Sequence, residues 1–224
     1  MKKYKYIFYL IIFIPCSLFS QISFTGYRNG RLISVDNTNY VASNILDNYL
    51  SEKSVQEKGV TISLNSNTNT RIKKIGQYKD GSYVEFPEEV SGIIVAKTSY
   101  DDIIYTSVRE AFTKEELSAH PDWHIWIFVA VDDTGNIIES AASFHIQKDY
   151  VIQPEQIHTL MLNIRNRLRF TLNKAKASPF NWFEGQILIR LGNYIEDRDL
   201  LPGLPINHPT GGSFGNGSFP SLIP

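Results

Sequence analysis

The sequence WHIWIFVAV at residues 123–131 carries the strongest structural signal in this chain. Its odd-numbered positions are all large and apolar, and Trp126, Phe128 and Ala130 make the opposite face largely apolar as well. A strand that is apolar on both faces lies in the middle of a sheet or beneath helices. Residues 132–136, DDTGN, are typical of a tight turn, and residues 137–146 then return as a second strand.

A helix and a further strand follow these two strands. Pro154 suits the first position of a helix, and apolar residues recur after it at helical spacing: Ile157, Leu160, Met161, Ile164 and Leu168. We expect residues 173–185 to form a loop, and QILIRL at 186–191 predicts another strand. The order strand, strand, helix, strand predicts an α+β fold in which a helix packs across an antiparallel sheet.

The N-terminal part of the chain carries weaker patterns. Residues 22–35 indicate extended structure, and residues 60–64 alternate at the strand period. Between them, Asp36, Asn37 and Thr38 offer helix N-caps ahead of an apolar stripe that runs from Val41 to Leu50. These residues therefore predict a helix over 41–50, within a smaller β-rich and helical region that precedes the main fold.

Shorter elements are expected between residues 71 and 121. Residues 71–86 indicate a hairpin that turns at Asp80-Gly81, because this dipeptide suits the positive φ angles of a tight turn. Residues 92–97, GIIVAK, are typical of a short buried strand, whereas residues 101–112 fit a strand or a helix. Residues 113–116 form a capping box, which predicts a brief helix that ends before Pro121.

The first 20 residues have the composition of an export signal. Three lysines among the first five residues precede an unbroken apolar run, Ile7 to Ile14, and Ser20 offers a small residue for cleavage. The apolar run is short of the roughly 20 residues that a membrane-spanning helix needs. We therefore predict export to the periplasm or the cell surface. Acylation at Cys16 is the alternative. A lipidated cysteine usually follows a small residue, however, and here Pro15 precedes Cys16.

Composition divides the chain into four predicted parts: a signal peptide at 1–20, an N-terminal α+β region at 21–92, the main α+β domain at 93–195, and a flexible Gly- and Pro-rich tail at 196–224. Cleavage after Ser20 leaves 19 basic and 23 acidic side chains, a net charge of −4. This balance argues against a nucleic-acid partner, because no basic excess is present to neutralise phosphates. No later apolar run reaches membrane-spanning length.

No arrangement of residues in the sequence predicts catalysis, a cofactor or a metal site. His120 and His124 have metal-ligand spacing, but Pro121 between them disfavours the helix that would align them. His145 and His158 are expected to be solvated polar residues. The adjacent aspartates at 101–102 and 132–133 point to opposite faces in extended structure, and the second pair is better explained by turn formation.

Two groups of residues are candidate contacts for a partner or a glycan. The first is the predicted loop that carries Phe180, Trp182 and Phe183, whose rings could stack on sugars, although burial at one end of the core is the simpler interpretation. The second is a basic group that includes Arg165 and Arg169. These arginines could bind an anionic glycan or lipid, but they also complement the negative C-terminal end of the predicted helix.

Three segments resemble the C-terminal domain of TonB-type energy transducers: VAVDDTGNIIESAASF at 129–144, PEQIHTLMLNIRNRLRF at 154–170, and GQILIRL at 185–191. The segment FTKEEL at 112–117, ahead of this unit, is also similar to segments of uncharacterised exported proteins of Gram-negative bacteria. The resemblance implies the β-β-α-β fold over residues 123–191. It also implies binding by an exposed strand that pairs with an extended segment of a partner. Energy transduction is not implied.

The sequence therefore leads to two expectations of function. The first is an exported, non-catalytic module of the cell envelope that binds another envelope protein. The second is an extracytoplasmic hydrolase that acts on a glycan or a peptide, with carboxylates that come together only in the folded chain. A pocket that joins two carboxylates would favour the hydrolase, and a sheet with one open edge would favour the binding module.

Overall fold

The computed structural model describes residues 31–44, 60–97, 99–146 and 151–197. Nine strands occur in these ranges: β1 Leu32–Val35, β2 Thr38–Asn44, β3 Val60–Ser66, β4 Gly76–Tyr78, β5 Ile94–Val95, β6 His124–Asp132, β7 Ile137–Ile146, β8 Thr171–Leu172 and β9 Phe180–Arg190. The same ranges contain four α-helices: α1 Ser99–Ala111, α2 Lys114–Ala119, α3 Pro154–Arg167 and α4 Lys174–Ala177. Short 3-10 helices cover Pro87–Val90 and Leu191–Tyr194.

Seven strands form one antiparallel sheet in the order β1-β2-β3-β7-β6-β9-β4, and β5 and β8 form a second, two-stranded sheet. The predicted α+β class is confirmed. Strands from the predicted regions 21–92 and 93–195 lie side by side in the large sheet, since β3 pairs with β7 at six positions. The two regions therefore contribute to one continuous hydrophobic core.

The strand predicted at residues 123–131 lies at the centre of this core. One face of β6, formed by Ile125, Ile127, Val129 and Val131, is fully buried. Helix α3 begins at Pro154 and packs over the same side of the sheet through the predicted apolar stripe, while α1 packs against α3. Burial of one such isoleucine contributes about 1.5–3 kcal/mol to folding. We call this helix-covered side the inner face of the sheet.

The helix predicted over residues 41–50 is wrong in its described part, because Thr38–Asn44 is strand β2. Asp36 and Asn37, which could have capped a helix, instead adopt φ angles of 44° and 64° and form a two-residue hairpin turn. Tyr40 and Ala42 point into the core at the strand period, whereas Asn39 and Ser43 on the other face of the strand are exposed. Pairing with β3 explains the outcome, because a strand there completes the sheet over the core.

The loop predicted over residues 173–185 is also wrong. Residues 174–177 form α4, and β9 begins at Phe180, six residues before the predicted strand. Strand β9 pairs with β6 at nine consecutive positions, from His124 opposite Arg190 to Asp132 opposite Trp182. This long ladder favours extended structure for the aromatic residues at 180–183, which fit a pleated surface well.

Several shorter predictions are confirmed. The strand at 60–64 lies within β3, and the turn at Asp80-Gly81 is present with Gly81 at φ 92°. Thr113 and Glu116 form the predicted capping box at the start of α2. Residues 101–112, which fitted a strand or a helix, lie mostly in α1. The segment 92–97 is only partly buried, because Ile93 is enclosed while Val95 is 41% exposed.

The connection from β3 to β4 crosses the outer face of the sheet, the face opposite the helices. Three strands separate β3 from β4, a span of roughly 19 Å at the usual strand spacing. Residues 67–75 make this crossing near the β6–β7 turn, where the amides of Thr70 and Arg71 donate to the Glu139 carboxylate at 3.0 and 2.7 Å. This segment, which we call the crossing segment, covers one end of the outer face.

The predicted signal peptide at 1–20 and the predicted tail from residue 198 onward lie outside the described residues. None of the helices in the described ranges combines the length and the apolar character that a membrane crossing requires.

Candidate functional site

Strand β1 is an edge of the large sheet, and no other described segment pairs with its outer side. The Ala42 amide donates to the Arg31 carbonyl at 2.9 Å, which marks this cross-strand pair as hydrogen-bonded. Hydrogen-bonded and non-hydrogen-bonded pairs alternate along an antiparallel ladder. Leu32 and Ser34 are therefore in non-hydrogen-bonded pairs with β2, and they direct two N–H and two C=O groups toward the open side.

The opposite edge of the sheet is closed by the chain itself. Strand β4 is followed by the turn at Asp80-Gly81, after which the chain folds back beside it. The Tyr78 amide donates to the Ser82 carbonyl at 2.9 Å, and the Val84 amide donates to the Gly76 carbonyl at 3.0 Å. The two edges therefore differ, since β1 alone presents a row of outward-facing backbone groups in the described part of the sheet.

Helix α3 holds the hairpin of β1 and β2 in place through a buried hydrogen bond. The Tyr40 hydroxyl lies 2.6 Å from His158 Nδ1, and both side chains are buried. Burial raises the pKa of Tyr40 to about 12, against an opposing effect of the Arg165 guanidinium. The hydroxyl therefore keeps its proton at neutral pH, and the tautomer of His158 decides which of the two groups donates. The other ring nitrogen, Nε2, lies 3.8 Å from an Asp36 carboxylate oxygen. The prediction that His158 is solvated is wrong.

Two exposed side chains of α3 lie on the His158 side of the helix. Leu162, which is 44% exposed, and the exposed Arg165 follow His158 at spacings of four and seven residues, which places them on one helical stripe. Since His158 contacts β2, this stripe borders the edge hairpin. Arg169 lies elsewhere, and its Nε donates to the Thr134 carbonyl at 3.2 Å in the β6–β7 turn.

The three aromatic residues predicted as contacts are part of the interior. Phe180, Trp182 and Phe183 expose 3%, 4% and 1% of their surface, as strand residues of β9. Phe180 stacks on Tyr78 at a centroid distance of 4.7 Å and meets Phe183 edge-to-face at 6.3 Å. The core interpretation of these rings agrees with the structure, whereas a sugar stacks on an exposed ring face. The structure does not join them with Arg165 and Arg169 in one exposed surface.

Two buried glutamates were missed by the sequence reasoning. Glu139 on β7 and Glu184 on β9 both lie opposite Ala130 of β6, so they share one row on the outer face. Burial would raise the pKa of Glu139, but the amides of Arg71 and Thr70 and the Arg71 guanidinium outweigh it and lower that pKa. The signal that could have revealed Glu139 is its position in the strand at 137–146, where it shares a face with the small residues Ala141 and Ser143.

Glu184 has the opposite environment. It is 8% exposed, its Oε1 has no hydrogen-bond partner among the described residues, and burial raises its pKa to about 8. The carboxyl group is therefore largely protonated at neutral pH. Because residues 173–185 were expected to form a loop, the strand pattern that buries Glu184 could not be recognised. The crossing segment covers this end of the row, so the two carboxyl groups do not open to solvent as an active-site pair.

Two further polar candidates, Asp132 and His120, have structural roles. The Asp132 carboxylate accepts hydrogen bonds from the amides of Thr134 and Asn136, both at 2.9 Å, which confirms the predicted turn role of this aspartate. Burial on its own would raise the pKa of Asp132. The hydrogen bonds from the amides and side chains of Thr134 and Asn136 outweigh burial and lower this pKa. His120 packs on Trp123 with a centroid distance of 4.4 Å. The described residues contain no group of three or more side chains that could hold a metal ion.

The comparisons with known proteins bear on the fold alone. No protein-family model matches the chain, and no curated protein matches it either. Among solved structures, the chain is similar to the crystal structure of a DUF5043 family protein from Bacteroides uniformis ATCC 8492. The TM-score is 0.56 at 16% sequence identity, and the match covers 81% of this chain and 93% of the other. The similarity therefore supports the overall fold across most of the described chain.

Proposed function

We propose that this protein is an exported, non-catalytic binding module of the cell envelope, and that β1 accepts an extended segment of a partner protein as an additional strand. The observation that carries this proposal is the open side of β1, where Leu32 and Ser34 direct four backbone groups outward. Strand addition uses such groups for affinity, and pockets for alternate side chains supply specificity.

The edge is held in a binding-ready geometry by the rest of the fold. The ladder of β2 with β3 fixes the hairpin from one side, and the bond between Tyr40 and His158 fixes it from the helix side. A rigid edge loses little conformational entropy when a partner strand docks. Leu162 and Arg165 border the hairpin, so a partner segment with an apolar residue and an acidic residue fits this surface best.

Two features of the sequence support the envelope assignment. The leader-like segment at 1–20 favours export. The resemblance of residues 123–191 to the TonB C-terminal domain, which implied binding through an exposed strand, is the second feature. The fold has two more elements in this range, β8 and α4, between α3 and β9. This likeness to TonB is part of the proposal.

The proposal is tested by changing one outward-facing amide. Ser34→Pro removes the amide hydrogen that faces the open side, and proline is tolerated on an edge strand when its nitrogen faces away from the sheet. Ser34→Ala keeps the amide and serves as the matched control. Immobilised wild-type and Ser34→Ala chains should retain the same protein from an extract of their own cell envelope, and Ser34→Pro should retain it at least about tenfold less.

Equal retention by all three chains, at equal melting temperatures, would exclude strand addition at β1. The alternative expectation, a hydrolase that acts on a glycan or a peptide, finds no support in the row of Glu139 and Glu184, because the crossing segment covers that row. An empty capture experiment together with turnover of an envelope glycan or peptide would still place the hydrolase first.

A further inference from the structure

The described segments cover the outer face of the large sheet at one end only. Near the crossing segment, Ala130 and Ala141 are 1% exposed, although both belong to the outer face. At the other end of β6, the side chain of His124 is exposed and Trp126 is 37% exposed. A large aromatic ring thus reaches solvent from a central strand of the sheet, where neighbouring strands flank it on both sides.

Trp126 forms part of a shallow groove that encloses about 330 Å³. This volume lies at the lower end of the range of about 300–1,000 Å³ that small-molecule sites occupy. Across the strands, Trp126 lies opposite Ser143 on β7, whose small side chain leaves one face of the groove unfilled. The groove is lined by Thr61, Asp122, Trp123, His124, Trp126, Ser143, Phe144 and His145.

The second tryptophan of the groove is held in a fixed orientation. Trp123 packs against His120 at a centroid distance of 4.4 Å and meets His145 edge-to-face at 5.6 Å. Two rings that contact Trp123 from different directions restrict its rotation. The groove therefore combines one fixed, half-buried indole with the more exposed indole of Trp126.

The polar groups around these rings are suited to hydroxyl groups. The imidazoles of His124 and His145, the carboxylate of Asp122 and the hydroxyls of Thr61 and Ser143 together provide donors and acceptors. The described lining contains the acidic Asp122 but no lysine or arginine, which favours a neutral ligand over an anionic one. One cationic side chain, Arg190, lies opposite His124 on β9, outside that lining. Indole faces stack on the apolar C–H faces of a sugar ring, while its hydroxyls pair with the surrounding polar groups.

We propose that this groove, defined by Trp123 and Trp126, is a binding site for a neutral carbohydrate, with a sugar ring stacked on the exposed indole of Trp126 and Trp123 forming the wall beside it. The site lies on the sheet face, whereas the proposed partner-binding site is the β1 edge. Each can therefore fail without the other.

The test is a titration of the full chain with neutral oligosaccharides of two to six residues from glucan, xylan, mannan and chitin, followed by calorimetry. At least one of these sugars should bind at up to millimolar concentration, and Trp126→Ala should weaken it at least about tenfold. Trp126→Phe, which keeps a smaller ring, should retain intermediate binding. Trp182→Phe is the matched control, because Trp182 is 4% exposed and lies outside the groove.

Three results would overturn the proposal. These are the absence of binding by every oligosaccharide at millimolar concentration, binding that survives Trp126→Ala, or equal loss in Trp126→Ala and in Trp182→Phe. Circular dichroism melting of each variant separates a lost contact from a lost fold, and Trp126→Phe preserves the test if the alanine variant unfolds. Ser34→Pro should leave sugar binding unchanged, and Trp126→Ala should leave partner capture unchanged.

Discussion

Glu184 makes the stability of this protein depend on pH in a predictable direction. The residue is 8% exposed, one carboxyl oxygen has no hydrogen-bond partner in the described part of the chain, and burial raises the pKa from 4.5 to about 8. Between these two pH values the folded chain keeps a proton that the unfolded chain releases. The free energy of unfolding therefore falls as the pH rises through this window, and the contribution of Glu184 is constant below and above it.

The size of the effect follows from the shift. One pKa unit corresponds to about 1.4 kcal/mol, so the window from 4.5 to about 8 gives at most about 5 kcal/mol. For a chain of this size, 1 kcal/mol changes the melting temperature by about 2–4 °C. Glu184→Gln replaces the protonated acid by a neutral group of the same shape. The variant should match the wild type near pH 4.5 and exceed its melting temperature by up to about 10–20 °C above pH 8.

Glu139→Gln is the matched control, because this residue lies in the same row but has a lowered pKa. Its carboxylate accepts charge-assisted hydrogen bonds from Thr70 and Arg71. These bonds stabilise the fold at pH values above the pKa of Glu139 in the unfolded chain, and this stabilisation is lost as the pH falls. The variant should lose about 1.5–3 kcal/mol at neutral pH and little at acid pH. Urea unfolding followed by circular dichroism across the pH range measures both variants. Parallel curves for the wild type and Glu184→Gln between pH 5 and about 8 would refute the buried, protonated state of Glu184.

Two further predictions concern the fold. Tyr40→Phe leaves His158 Nδ1 buried without its hydrogen-bond partner and should lower the free energy of unfolding by about 1–3 kcal/mol in urea titrations. An unchanged value would show that the bond contributes nothing. Gly135 and Gly81 share a φ angle of 92°, but an added Cβ at Gly135 would lie 2.1 Å from the Phe170 carbonyl oxygen and one at Gly81 meets nothing within 4 Å. Alanine should therefore cost about 1–3 kcal/mol at Gly81 and clearly more at Gly135, and equal melting temperatures would contradict the close approach.

The central unit was accessible from the sequence because its signals are local. The alternation in WHIWIFVAV, the turn chemistry of Asp132 and Gly135, and the proline at the start of α3 each specify structure within a few residues. The structure confirms all three. Turn residues and helix caps act through backbone bonds to near neighbours, so they need no knowledge of the remaining chain.

The edge hairpin and the start of β9 were not accessible in this way. Asp36 and Asn37 can cap a helix or adopt the positive φ angles of a hairpin turn, and the sequence supports both. Pairing of β2 with β3 selects the hairpin. The residues at 180–185 became a strand because β6 supplies a ladder for them, and β6 lies about 50 positions away in the chain.

The candidate sites also depend partly on local sequence pattern and partly on long-range contacts. Local pattern was sufficient to place His124 and Trp126 on one face of a strand and to give Glu139 a strand environment. Only the tertiary structure shows that β1 lies at an edge of the sheet. Only the tertiary structure also shows that residues 67–75 cover Glu139 and leave Trp126 exposed. Alternation specifies which side chains share a face, but burial of that face depends on which distant segment crosses it, and such a crossing leaves no periodic trace in the strands beneath.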